Sequence, residues 1–157
     1  MRTITNVESR VIKGTNLVTG KKYGLKVMYK DEIDRSPELK TAFCNEVRAL
    51  KNMNHPNIVK IRHHSSLKRR KNEILTDNYG DSHHVAYISL EYLKNGSLKD
   101  LIMEQEKLSE EATRYYFLQL LDALEYMHLS DFSHTDIKVD NLMLNAQYNL
   151  KVIDFGF

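Results

Sequence analysis

Near the end of this 157-residue chain, Asp136 is followed by Lys138 and Asn141, and Asp154 stands after a short apolar run and before Phe155-Gly156. These are residue types that can do chemistry. A carboxylate such as Asp136 can orient a hydroxyl and take its proton. An ammonium such as Lys138 can sit beside an anionic group. The oxygens of Asn141 and Asp154 are hard donors suited to Mg²⁺, which keeps several of its waters and needs few protein ligands. The plain alternative is a polar turn between two strands, with Asp and Asn there for turn geometry. Any one of these residues alone fits that alternative. The set in this order, flanked by His134 and Phe155-Gly156, argues against it.

The stretch Ser133-His134-Thr135-Asp136-Ile137-Lys138-Val139-Asp140-Asn141 and the later Asp154-Phe155-Gly156 resemble the catalytic loop and magnesium motif of eukaryotic protein kinases. The resemblance implies ATP and Mg²⁺ as cofactors and transfer of the γ-phosphoryl group to a hydroxyl of a protein substrate. It implies Asp136 as the base, Lys138 beside the moving phosphate, and Asn141 and Asp154 as metal ligands. Lys138 points to serine and threonine as acceptors, because tyrosine kinases usually carry a different loop after the aspartate. One rival is a catalytically dead, pseudokinase-like nucleotide-binding or interaction module. Another is a small-molecule phosphotransferase of the same fold, which Lys138 and the segment His55–Val59 fit less well.

Such residues need elements to position them. Residues 7–13 and 21–29 read as strands around a turn at Thr19-Gly20-Lys21-Lys22. The second strand carries Lys26 among apolar neighbours, and a buried ammonium is costly unless paired. Residues 36–53 read as a helix, with Ser36 as cap, Pro37 in its first turn and Phe43, Val47 and Leu50 as an apolar stripe. Glu46 lies beside that stripe. The resemblance implies that Lys26 holds ATP phosphates and pairs with Glu46, and that Gly24 roofs the adenine. It places Leu90 as gatekeeper, the backbone of Glu91 and Leu93 at the adenine edge, Ser97 near the ribose, and Val11 and Met143 among the nucleotide contacts. The three loop glycines of the family would fall on Ile4, Asn6 and Ser9. Without glycine the backbone cannot approach phosphates as closely, so weaker nucleotide binding or a reshaped loop is expected. The family's first strand would precede Met1.

Residues 62–84 are polar and basic and read as a solvated loop between two strands; the pairs His63-His64 and His83-His84 match no zinc spacing. Residues 85–93 read as a strand running into a linker, and Asn95-Gly96 as a turn before a short helix capped by Ser97. Ser109-Glu110-Glu111 opens the longest helix, whose Phe117, Leu120, Leu121, Leu124 and Met127 are expected to face the core. Short strands follow at 142–144 and 150–153. The expected fold class is α+β and protein-kinase-like: a strand-rich lobe over residues 1–91, and from 92 to 157 a hinge and the start of a helical lobe. The resemblance covers about the first half of such a domain, ending just after Asp-Phe-Gly.

Composition sets bounds. Apolar residues make up 41% and charged residues 28%, ordinary for a soluble globular protein. A net charge of +2 gives no case for nucleic acid or a membrane surface. One cysteine, Cys44, and an N-terminus without an apolar leader fit a reducing, cytoplasmic location. Thr135 stands where many kinases carry an arginine that pairs with a phosphate on the activation loop, so activity insensitive to such phosphorylation is expected.

Overall fold

A computed structural model describes residues 10–67, 73–76 and 80–156. Ile4, Asn6 and Ser9 lie outside these residues, as do the basic run 68–71 and Phe157. Strands β1 (Arg10–Thr15) and β2 (Lys22–Tyr29) form an antiparallel hairpin. Its turn is built by Asn16, whose Oδ1 accepts from the backbone N–H groups of Val18 and Thr19, and by Gly20 at φ +67°. That conformation is cheap for glycine. A short helix α1 (Lys30–Arg35), not anticipated from the sequence, buries Ile33. Helix α2 spans Pro37–Asn52, with Ser36 accepting from the Leu39 N–H. It buries Phe43, Val47 and Leu50 as expected.

The stretch 62–84 is not a plain loop. It holds most of β3 (Ile61–His64) and all of β4 (Glu73–Thr76), and β5 (Ser82–Glu91) begins within it. The reason is the length of β5. One of its edges is taken by β2; along the other, β3 pairs the half that ends at Glu91 and β4 the half that starts at Ser82. β3 carries one apolar residue, Ile61, and β4 only the pair Ile74-Leu75, too few to stand out in a reading that looks for longer apolar runs. Among the described residues, no group of three or more His, Cys, Asp and Glu is arranged to hold a metal ion. Cys44 is exposed and free.

After β5 the chain turns at Gly96 (φ +71°) into α3 (Leu98–Gln105). Ser97 and Asp100 form a reciprocal capping box there. Helix α4 spans Glu110–Leu129, capped by Ser109. Its buried residues are Tyr116, Ala123 and Met127, with Leu120 and Leu124 partly covered. Phe117 and Leu121, expected in the core, are 56% and 44% exposed. The helix is apolar over more than one face. The face it buries is chosen by polar anchors that periodicity does not reveal: Gln119 Oε1 accepts from Asn57 Nδ2 and the Leu150 N–H, and the Tyr126 hydroxyl accepts from the Asn54 N–H. A 3₁₀ turn (Val139–Asn141) leads into the hairpin β6 (Leu142–Leu144) and β7 (Leu150–Val152). No helix among the described residues is long and apolar enough to cross a membrane.

The sheet is tied to the β6–β7 hairpin by polar contacts. Asn57 O accepts from Val152 N, and Val152 O from Val59 N. Lys151 of β7 places its ammonium 2.7 Å from the Glu91 carboxylate at the end of β5, with both side chains largely buried. Glu91 also accepts from the Lys60 N–H. Removing one member of such a pair strands a charge in a poorly hydrated place. Lys151→Met should therefore lower unfolding free energy by about 3 kcal/mol, read as a fall in urea midpoint. The double change Lys151→Met with Glu91→Gln should recover part of that loss.

Candidate active site

The site begins with hairpin register. Leu142 pairs Val152 across β6 and β7, and Ile153 N donates to Asn141 O, so Asn141 and Asp154 leave the hairpin side by side. The loop before β6 is fastened to the same hairpin by His134, which is 3% exposed. Its Nε2 lies 2.9 Å from Ile153 O, and its Nδ1 lies 3.3 Å from the Asp136 backbone nitrogen. Donation at Nε2 and acceptance at Nδ1 describe a neutral ring. Phe155 is buried against the rings of His134 and Phe132 and locks Asp154 from the other side.

Within the loop, Asn141 Nδ2 donates to the Asp136 backbone oxygen at 2.9 Å and to its carboxylate at 2.8 Å. The Lys138 ammonium donates to the same carboxylate oxygen at 2.7 Å. These bonds, Lys138's first, hold the Asp136 carboxyl below its ordinary range, so it is ionised and able to accept a proton from a bound hydroxyl. Because the Asn141 amide nitrogen is committed to Asp136, its Oδ1 is left for another partner. Asp154 likewise has one oxygen on Lys26 and the other without a hydrogen bond among the described residues. These two oxygens are hard donors on one cleft, which suits Mg²⁺.

Lys26 comes from β2 and meets Glu46 from α2, with its Nζ 2.9 Å from both Glu46 oxygens and 2.7 Å from Asp154 Oδ1. The Lys26 side chain is 13% exposed. Burial alone would depress its basicity, but the Glu46 and Asp154 carboxylates outweigh burial and raise it. Glu46, 2% exposed, moves the other way from most paired carboxyls. Burial pushes it up, and Lys26 offsets this only in part.

A cleft of about 370 Å³ lies between the sheet and the β6–β7 hairpin. Val11, Gly24, Lys26, Glu46, Leu90, Glu91, Leu93, Met143, Asn141 and Asp154 line it. Asp136 and Lys138 stand beside Asn141 and not in the cleft lining. Ser97 is not among the residues lining the cleft; its hydroxyl donates to the Asp100 carboxylate at 2.7 Å and accepts from the Asp100 N–H in the helix cap, which commits its proton and leaves one acceptor lone pair. Ile12, Lys13, Val59, Tyr92 and Ile153 also line the cleft. Strand alternation from Val11 could have found Lys13, whose ammonium lies 5.7 Å from the centre of the Tyr92 ring. Glu91 was expected to act through its backbone; its carboxylate serves as the anchor for Lys151. Thr135 has φ +63°.

A raised carboxyl favours the fold below the ordinary carboxylate range and costs stability as pH rises through the raised value. Lys26→Met leaves Glu46 buried without its cation. It should cost about 3 kcal/mol at neutral pH, and the difference from the wild type should shrink as acid lets Glu46 take up a proton. Adding Glu46→Leu should recover much of the loss and remove that pH dependence. Chemical denaturation at a series of pH values measures both.

The model of the family described as the protein kinase domain matches residues 7–157. Among curated proteins, the chain is 33% identical over 149 residues to maternal embryonic leucine zipper kinase of Danio rerio, covering 94% of this chain and 19% of that protein. It is 33% identical over 148 residues to CBL-interacting serine/threonine-protein kinase 26 of Arabidopsis thaliana, covering 94% of this chain and 30% of that one. CBL-interacting serine/threonine-protein kinase 16 of the same plant is 30% identical over 148 residues, with 94% and 28% covered. The chain thus spans less than a third of the length of these relatives. The match over residues 7–157, together with the antiparallel sheet, the paired Lys26 and the loop built around Asp136, shows that the chain belongs to the protein kinase family.

Proposed function

We propose that this chain carries the nucleotide-binding and catalytic-loop part of an ATP- and Mg²⁺-dependent protein kinase that phosphorylates serine or threonine. The observation that supports it most is the convergence of Lys26, Glu46 and Asp154 at one end of a cleft beside Asp136, Lys138 and Asn141. In this reading the apolar walls around Gly24, Leu90, Leu93 and Met143 take the adenine. Lys26, held in place by Glu46, receives the phosphates. Asn141 and Asp154 would hold Mg²⁺, which when bound neutralises phosphate charge. Asp136 accepts the proton of the attacking hydroxyl, and Lys138, which donates to the Asp136 carboxylate, stands beside the moving phosphate. Positioning and charge do most of the work in phosphoryl transfer. Thr135 offers no cation to a phosphorylated loop, so activity should not depend on one.

The second reading, a non-catalytic nucleotide-binding or interaction module, is favoured by Ile4, Asn6 and Ser9 at the glycine positions. Two measurements separate them. Mg·ATP at millimolar concentration should raise the melting temperature more than ATP alone, by binding the folded state only. Asp154→Asn should erase the part of the shift that Mg²⁺ adds; the absence of any shift would sink the kinase reading and leave only an interaction module that binds no nucleotide. In the full-length protein, Asp136→Asn should lower kcat by at least about a hundredfold and leave ATP affinity nearly unchanged. Nucleotide binding with no transfer to any protein hydroxyl would favour the second reading.

A further inference from the structure

The surface next to Asp136, away from the nucleotide cleft, carries an arrangement that nucleotide binding does not use. Asp140 sits in the 3₁₀ turn immediately before Asn141, and its carboxylate is 2.6 Å from the Lys99 ammonium, which projects from the first turn of α3. The two side chains are 45% and 49% exposed. Lys99 holds the Asp140 carboxyl below its ordinary range. Neither is part of the capping box of α3, which Ser97 and Asp100 complete by themselves.

A polypeptide that presents a hydroxyl to Asp136 has the nucleotide on one side. On another it has the exposed groups Lys138, Asp140 and Lys99. Lys138 is committed to Asp136. An open Asp140 carboxylate here would attract a basic residue flanking the target hydroxyl, and an open Lys99 would attract an acidic one. Joined to each other, they present little net charge. Exposed pairs of this kind contribute little to stability, but rim charges decide which charged partner is admitted.

We propose that Lys99 is a specificity-determining residue: by holding Asp140 it removes selection for basic flanks, so the substrate is a polypeptide whose target hydroxyl is chosen without regard to flanking lysine or arginine. This rests on the kinase reading above. It predicts opposite effects from the two halves of one pair. Lys99→Ala frees Asp140 and should create a preference for basic flanks. Asp140→Ala frees Lys99 and should create a preference for acidic flanks.

The test uses the full-length protein and three fluorescent serine peptides of one backbone, with lysine/arginine, aspartate/glutamate or glutamine flanks. Equilibrium binding by anisotropy in Mg·ADP needs no turnover, and kcat/KM for each peptide is the second readout. In the wild type the basic-to-acidic ratio should stay within about twofold. It should rise about threefold or more in Lys99→Ala and fall by a similar factor in Asp140→Ala, the size expected of single exposed charge contacts. Both preferences should collapse at high salt. A wild type that already selects basic flanks tenfold would overturn the proposal. So would two variants that shift the ratio in the same direction or not at all, including a uniform fall in all three peptides, which marks a merely structural tether. No binding of any peptide while the Mg·ATP melting shift persists also overturns it. Loss of that shift in the wild type instead overturns the kinase reading.

Discussion

An ammonium lifted almost wholly out of water must be met by carboxylates, and the Lys26 ammonium is met by two. Desolvating it costs several kcal/mol, so the fold holds only if the partners arrive together. One comes from helix α2 and the other from the strand end after β7, separated from Lys26 by 20 and 128 positions. Lys26 can reach both because β2 is the interior neighbour of β5 and its side chain points from the sheet toward the hairpin. Glu46 can reach it because Phe43, Val47 and Leu50 seat α2 with that face inward. The apolar core brings the elements close, and the charge cluster fixes how they meet.

A second set of polar ties works in the same direction from the far side of the cleft. Lys151 stands three positions before Asp154 and binds the Glu91 carboxylate at the end of β5. Asn57 and Gln119 hold the edge of the same hairpin. The β7 segment is thus pinned to the sheet by Lys151 in the middle of the strand and by Asp154, two residues past its end, on Lys26. A cleft bounded by two such anchors keeps its width through hydrogen-bond geometry, which is directional, where apolar packing alone would let the halves slide.

The motif residues were legible only as a set: any one of Asp136, Lys138, Asn141 and Asp154 alone fits a polar turn, and their order and spacing, flanked by His134 and Phe155-Gly156, carried the resemblance that then brought in Lys26 and Glu46. Helix α2 was legible because cap, proline and stripe agree. What escaped was set by partners distant in sequence. β3 and β4 exist because β5 has a long free edge, and their own apolar runs are only one and two residues long. The buried face of α4 follows from Gln119 and Tyr126, two polar residues among many apolar ones, so Phe117 and Leu121 were assigned to the wrong side. The cap role of Ser97 was legible in the sequence, and the Asp100 carboxylate three residues on completes it. The Glu91 carboxylate was overlooked because its partner is 60 residues away, in a strand of three.

The backbone at the site reflects the same constraints. Thr135 and Asp154, on the two segments that flank the cleft's polar end, both have φ near +60°. Aspartate tolerates that region, but a β-branched residue is rarely found there, at a cost on the order of 1–2 kcal/mol. Such a conformation persists only where the surroundings dictate it. Here His134, one residue earlier, is fixed by Ile153 O at one ring nitrogen and by the Asp136 N–H at the other. The chain must pass through Thr135 between these two fixed points. The strain at Thr135 is therefore a consequence of aiming the Asp136 carboxylate at Lys138 and Asn141, and glycine at this position would relax the backbone while leaving the two histidine bonds in place.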